Sequence, residues 1–334
     1  MSYSNSSLNC FADCMRKYEH AYIKHTEPCR PPSPHLVFGA MAHEVLEKAG
    51  RLRDDVADGV VEKGEYYDVI PSEALYPELK REFNITSWEK YFRAVIKETA
   101  AIEEDLSNTL LETGTLLKER ELAVTLSIDE LKYYGIGNFT DGFKGVIDLL
   151  LYTSSHAIII DYKFSNNRKT QQNFDMDSQL QLYALMVHLK YDIPLHNIQY
   201  GYIDIPKQMF DNPVILKNGT LSRAKSQNVD AELYKAAVEA IHGDDAVYNC
   251  DKGGYYYECY CELKRNKAAY LNIRHVDEEA YAGVLADLID TAKFIEVMKK
   301  EHLPFLAKYN SYSCGNCEYV NACKPWLTIG GNNE

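Results

Sequence analysis

The spacing of apolar positions changes period along the chain, and each change predicts an element. Leu8, Phe11, Met15, Tyr18 and Tyr22 recur at helical spacing after a serine-rich start, predicting an amphipathic helix over residues 7–24 with Cys14 on its inward side. The stretch Pro28 to Pro34 reads as a loop. A second helix over residues 38–53 places His43 and Glu47 four apart on one face. Residues 54–118 are acidic and aromatic with a helical stretch at 87–112, a predicted helical insertion. The period then becomes two: Leu122, Val124 and Leu126 alternate with Glu121, Ala123 and Thr125, as in a half-buried strand. Phe139 to Tyr152 and His156 to Lys163 are further apolar strands joined by the turn Thr153-Ser154-Ser155. A helix near 176–190, capped by Asp177 or Ser178, and a strand from Ile198 to Ile205 follow.

Beyond that core, residues 206–253 hold a loop and a helix from Ala231 to Ile241. Residues 254–273 are tyrosine-rich and fit neither period, and 277–301 form a long helix. The order helix, three strands, helix, strand predicts an α/β fold with a mixed sheet. No internal repeat or low-complexity linker interrupts it, so one domain with helical elaborations at 54–118 and 206–300 is expected.

Composition narrows the class. Hydrophobic residues at 46% and charged residues at 25% are ordinary for a globular chain. No apolar run reaches membrane-spanning length, and Met1 to Asn5 lack a basic region followed by an apolar one, so a cytoplasmic protein is expected. Nine cysteines are too few for a disulfide scaffold, and their odd number argues against full pairing. Cys314, Cys317 and Cys323, spaced Cys-x2-Cys-x5-Cys, supply three of the four thiolates that a tetrahedral metal or an iron–sulfur cluster needs. Cys14 is the candidate fourth, which would make a clasp between the two ends of the chain. Cys10, Cys29, Cys250, Cys259 and Cys261 read as buried or incidental thiols, with Cys259-x-Cys261 a weaker rival pair.

The net charge of −13 does not by itself suggest a nucleic-acid partner, because phosphate neutralisation by basic groups dominates such affinity. The basic residues come in small groups: Arg16-Lys17, Arg51 and Arg53, Arg168-Lys169, Arg223 and Lys225, and Lys264-Arg265 with Lys267. They fit either a locally positive groove or scattered solvated charge.

A hairpin turning at Ser154 puts Asp148 nearly opposite Ile160, hence beside Asp161. A one-residue register shift would aim both carboxylates at one face, and Asp161 and Lys163 share a strand face. Two carboxylates and a lysine supply what phosphodiester hydrolysis requires: oxygen ligands for Mg²⁺ or Mn²⁺, and a cation for the charged phosphorane. Taken alone, the same residues fit an exposed Asp/Lys pair at a strand end. His43 alone fits a packed helix histidine, and His43-Glu44-Val45-Leu46-Glu47 lacks the second histidine of a zinc-protease motif. Gln179 and Tyr183, one helical turn apart, fit either backbone contact or simple packing.

In their joint order these pieces resemble the RecB-type branch of the PD-(D/E)xK nucleases. The likeness is to its iron–sulfur members: CRISPR spacer-acquisition nucleases, the AddB-type helicase–nuclease domain and phage exonucleases. Ser7-Leu8-x2-Phe11-x2-Cys14-x-Arg16-Lys17-Tyr18 is similar to that family's opening motif, and Phe38-Gly39-x3-His43-x2-Leu46-Glu47 to its histidine helix. Gly145-Val146-Ile147-Asp148 and Ile160-Asp161-Tyr162-Lys163 resemble its metal-binding motifs, and Gln179-x3-Tyr183 the helix that follows. Cys314, Cys317 and Cys323 resemble its closing cysteines, and Leu216 to Arg223 is similar to phage-type members. Met15 stands where the family often has proline, and Asp161 is the shorter of its two permitted acids.

The resemblance implies a restriction-endonuclease-like αβββαβ core with helical insertions and a C-terminal cysteine clasp. It implies Mg²⁺ or Mn²⁺ on His43, Asp148, Asp161 and the Tyr162 carbonyl, with Glu121 and Glu47 as possible accessories. Lys163 would orient or deprotonate water, or stabilise the phosphorane. Gln179, Tyr183, Arg16 and Lys17 would contact DNA, and Cys14, Cys314, Cys317 and Cys323 would hold a structural [4Fe–4S] cluster, with zinc as the alternative. The implied activity is a DNA exonuclease on single-stranded or frayed ends in a bacterial or phage-infected cell, with a helicase or recombination factor as a possible partner. The rival expectations are a DNA-end-binding or scaffold subunit and a redox-sensing iron–sulfur module.

Overall fold

The computed structural model describes residues 2–59, 65–72, 79, 82, 87–165, 174, 176–206, 216–221, 231–249, 254–265, 267–309 and 311–323. Arg168, Lys169, Arg223, Lys225 and Cys250 lie outside them.

The chain opens with helix α1 (Asn5–Asp13), held by a reciprocal capping box between Ser4 and Ser7. The single helix expected over 7–24 is broken at Cys14, which takes an extended backbone (φ −157°), and a short turn at Met15–Tyr18 and a π-helical turn at Glu19–Ile23 follow. Helix α2 (Pro34–Ala57) begins with Ser33 as cap and proline in its first turn, which the missing proline N–H favours. Helix α3 (Trp88–Leu111) buries Trp88, Tyr91, Phe92, Val95, Ile96, Glu103, Leu106 and Leu110 on one stripe.

Strands β1 (Leu117–Leu126), β2 (Phe143–Tyr152) and β3 (Ala157–Phe164) form an antiparallel meander. Helix α4 (Ser178–Tyr191), capped by Asp177, crosses to β4 (Ile198–Ile205), which runs parallel to β3. The sheet order β1-β2-β3-β4-β5 adds one strand to the expected core, β5 (Tyr270–His275), antiparallel to β4. It comes from the tyrosine-rich stretch that fitted no period, because its residues are only partly covered and show no alternation. Helices α5 (Ala231–His242) and α6 (Tyr255–Leu263) precede it, and α7 (Glu278–Lys300) follows. This mixed sheet flanked by helices is the restriction-endonuclease-like arrangement.

Two apolar cores lie on opposite faces of the sheet. One packs Leu8 and Phe11 of α1, Leu180 to Val187 of α4 and Leu288 to Met298 of α7 against Leu150, Ile159 and Tyr200. The other packs α2 and α3 against Leu149, Leu151, Ile158 and Ile160. A third, smaller cluster joins Val238 of α5 to Tyr256 and Tyr260 of α6. Among the described residues, no helix is long and apolar enough to cross a membrane.

Side chains two apart on a regular strand share a face, yet Ile147 packs into the first core and Leu149 into the second. The same reversal occurs on the neighbouring strand, where Arg120 points to α2 and α3 while Leu122 and Val124 join the first core. Between them, Glu121 has φ +47°, a left-handed conformation disfavoured for a side-chain-bearing residue. Strand pairing skips Glu121 but resumes in the same register, so the backbone turns over without inserting a residue. The level of this reversal is also the level of Asp148.

Candidate active site

The β2–β3 hairpin pairs Tyr152 with Ala157 and Leu149 with Ile160. That register is one residue away from a turn centred on Ser154, and it brings Asp148 level with Asp161. The ladder ends there because the Asp148 side chain takes over: its Oδ2 accepts the Tyr162 backbone N–H at 2.7 Å. His43 comes from α2 on the second-core side, with Nδ1 3.4 Å from Asp148 Oδ2. The reversed backbone at Glu121 adds a third group: ligand atoms of His43, Glu121 and Asp148 all lie within 4.8 Å of one another. Such strain concentrates where surrounding structure holds a functional group in place.

Asp161 is almost fully buried, and it lies close enough to Asp148 and Glu121 for its charge to act on both. Lys163 Nζ lies 2.5 Å from its Oδ2, and Gln179 Nε2 donates to its Oδ1 at 3.1 Å. Gln179 also accepts from Lys163 Nζ at 3.2 Å and donates to the Tyr183 hydroxyl at 2.9 Å, so one amide links lysine, carboxylate and tyrosine.

The electrostatics suit a divalent cation. Burial first, and then the Asp161 charge, push Asp148 well above the usual carboxylate range, against the Tyr162 N–H that favours its anion. Burial and the neighbouring Glu47 raise Glu121. Burial and Lys163 lower His43 to about 4, leaving the neutral imidazole that a metal binds, while its hydrogen bond with the Tyr162 backbone opposes the shift. Burial works against charge on Lys163, but Asp161 outweighs it and raises the ammonium pKa.

The remaining named residues are engaged elsewhere. Glu47 accepts Arg51 Nε at 2.9 Å on α2. Arg16 pairs with Glu19 at 3.2 Å and Lys17 with Glu318 at 3.2 Å, placing both at the junction of the chain ends. That junction is well stitched: Arg16 N–H donates to Leu306 O, Cys29 N–H to Glu318 O, and His20 stacks on Tyr319. Cys14, Cys314 and Cys317 are close enough to Cys323 for their charges to raise its pKa, after burial. Cys10 is raised to about 11, chiefly by burial, as suits an inert thiol.

The sequence profile of the PD-(D/E)XK nuclease superfamily matches residues 2–324. The chain belongs to the PD-(D/E)XK nuclease superfamily. No curated protein sequence matches it. Among solved structures it is similar to a candidate exonuclease from Eubacterium rectale, with 13% identity, a TM-score of 0.38 and coverage of 94% of this chain and 92% of the other. It is also similar to the protein SSO0001, with 11% identity, a TM-score of 0.27 and 84% of each chain covered. Likenesses this distant say nothing of activity.

PD-(D/E)XK nucleases generally use divalent metal ions, and the donor set here suits one. Two oxygen donors and a neutral imidazole converge beside a second buried carboxylate, and the crowded negative charge is what a divalent cation would neutralise.

A buried network beneath the site escaped the sequence reading. Glu103 of α3 accepts the Tyr162 hydroxyl at 2.6 Å and Arg120 Nη2 at 2.6 Å, and also pairs with Arg53. Arg120 is held in turn by Asp54 at 2.7 Å. Burial disfavours the Glu103 charge, but Arg120 and Arg53 overcome it and hold its carboxyl at about 2. The signal was a glutamate in the apolar stripe of α3, between Ala100 and Leu106.

Proposed function

We propose that this PD-(D/E)XK protein is a DNA exonuclease of the RecB-type branch, acting on single-stranded or frayed ends. The observation that carries the reading is the meeting of His43, Glu121 and Asp148 beside the Asp161–Lys163 pair. His43, Glu121, Asp148, Asp161 and the Tyr162 carbonyl are the proposed holders of Mg²⁺ or Mn²⁺. Such an ion lowers the pKa of bound water and offsets charge on the phosphoryl oxygens. Asp148 accepts the Tyr162 N–H, which fixes the peptide plane between Asp161 and Tyr162. The charged Lys163 ammonium faces the phosphate and stabilises the phosphorane. Gln179 links Lys163, Asp161 and Tyr183 through hydrogen bonds of its one amide.

Cys14, Cys314, Cys317 and Cys323 are the proposed ligands of a [4Fe–4S] cluster with a structural role. Support comes from the resemblance of their spacing and from their grouping at the junction of the chain ends. A helicase or recombination factor is the proposed protein partner.

The test incubates end-labelled single- and double-stranded DNA with the wild-type protein and Asp148→Asn in Mg²⁺, Mn²⁺ or EDTA. Metal-dependent shortening by the wild type alone is expected. Equal cleavage by both proteins, or cleavage that persists in EDTA, would refute the assignment.

A further inference from the structure

The left-handed backbone at Glu121 is held because its two neighbours are fixed on opposite faces of the sheet. On one side, Leu122 packs with the first core and pairs with Ile147. On the other, the buried Arg120 side chain reaches α2 and α3, where Asp54 accepts its Nε at 2.7 Å and Glu103 its Nη2 at 2.6 Å. The Arg120 carbonyl is held as well, accepting Arg51 Nη2 at 3.3 Å. The peptide that enters Glu121 is thus fixed through both side chain and backbone. A left-handed residue that carries a side chain persists only where its surroundings over-determine it, and the grip on Arg120 does so here.

The helix that grips Arg120 also presents the imidazole. His43, Glu47, Gly50 and Asp54 recur at i, i+4, i+7 and i+11, which is one face of α2. Gly50 is buried inside that helix, where glycine is less favourable than alanine. Space accounts for it: a Cβ at Gly50 would collide with Cζ and Nη1 of Arg120. Glu103 carries the tie to β3, since it also accepts the Tyr162 hydroxyl at 2.6 Å. Arg120 therefore joins the helix of His43 to the strand of Glu121, and through Glu103 to the strand of Asp161.

Resting on the metal-dependent nuclease reading above, we propose that Arg120 is a positioning residue. Its guanidinium, gripped by Asp54 and Glu103, holds the Glu121 carboxylate at the ion beside His43 and Asp148. Arg120 acts through the backbone of its neighbour and not on the ion itself. Groups that orient a metal's ligands in this way are worth about 10–100-fold in metal affinity.

The experiment measures Mn²⁺ binding to the DNA-free protein by calorimetry in wild type, Gly50→Ala, Glu121→Gln and the double variant. Gly50→Ala adds one methyl group that a helix favours, yet it must displace the guanidinium. Mn²⁺ affinity is expected to fall about tenfold or more on Gly50→Ala alone, with little further fall when Glu121→Gln is already present. Asp54→Ala loosens the same grip from a partly exposed position and should repeat both results, which covers the case of a Gly50→Ala protein that does not fold. Unchanged affinity in a folded variant of either kind, or an equal fall with and without the Glu121 carboxylate, would overturn the positioning role and leave the nuclease reading standing. Absence of any Mn²⁺ binding by the wild type would overturn the metal-dependent reading and the role of Arg120 with it.

Discussion

Replacing Glu103 with glutamine tests the network under the active site. Glu103 is 3% exposed, and Arg120 and Arg53 hold its carboxyl at about 2, against an ordinary value of 4.5. A shift of that size corresponds to about 3 kcal/mol of folding stability at neutral pH, at about 1.4 kcal/mol per unit. The loss from breaking one partner of a buried ion pair, about 3–5 kcal/mol, is of the same order. Since the folded pKa is depressed, the stabilisation is complete above 4.5 and disappears as pH falls towards about 2. With an unfolding entropy of about 2.1 cal/mol/K per residue, 3 kcal/mol lowers the melting temperature of this chain by about 4 °C. Calorimetry of wild type and Glu103→Gln at pH 7 should show that gap, and at pH 2.5 most of it should have closed. Glutamine still accepts the Tyr162 hydroxyl, so cleavage at 25 °C should survive. Equal melting at pH 7, or a gap that stays constant into acid, would show that the buried carboxylate carries no such charge.

Other variants separate the parts. Gly145→Ala forces Tyr183 off β2 and should cost about 1–3 kcal/mol by overpacking, seen in urea denaturation, together with a fall in kcat as Gln179 loses its support. Unchanged kcat would detach Tyr183 from the site. Cys314→Ser should bleach the visible absorption of purified protein and lower its melting temperature while Mn²⁺ binding persists. A colourless wild-type protein carrying stoichiometric zinc would overturn the cluster proposal.

The fold was legible wherever burial was one-sided or complete. The apolar runs of β2, β3 and β4 and the stripe of α3 set those elements to within a few residues, because each buries a continuous set of side chains. Strand β5 was hidden by its half-covered position at the sheet edge, where no alternation is imposed. The break at Cys14 was hidden because apolar spacing carries straight through it. At the site, Asp148, Asp161, Lys163 and His43 stood out through their joint order, which sequence preserves. Glu121 was ambiguous because its contribution depends on a backbone reversal that a simple alternation conceals. The Glu103–Arg120 pair spans 17 residues and two element types, and nothing local announces such a partnership.

If Glu121 holds the ion as proposed, its left-handed backbone sets thermostability against ligand supply at a single position. Glycine there would relieve strain of about 1–3 kcal/mol while deleting one of the proposed metal-holding carboxylates. Laboratory evolution that screens for heat resistance alone would therefore drift towards a sturdier, catalytically impaired protein, whereas alternating rounds of heat and turnover would keep the acid.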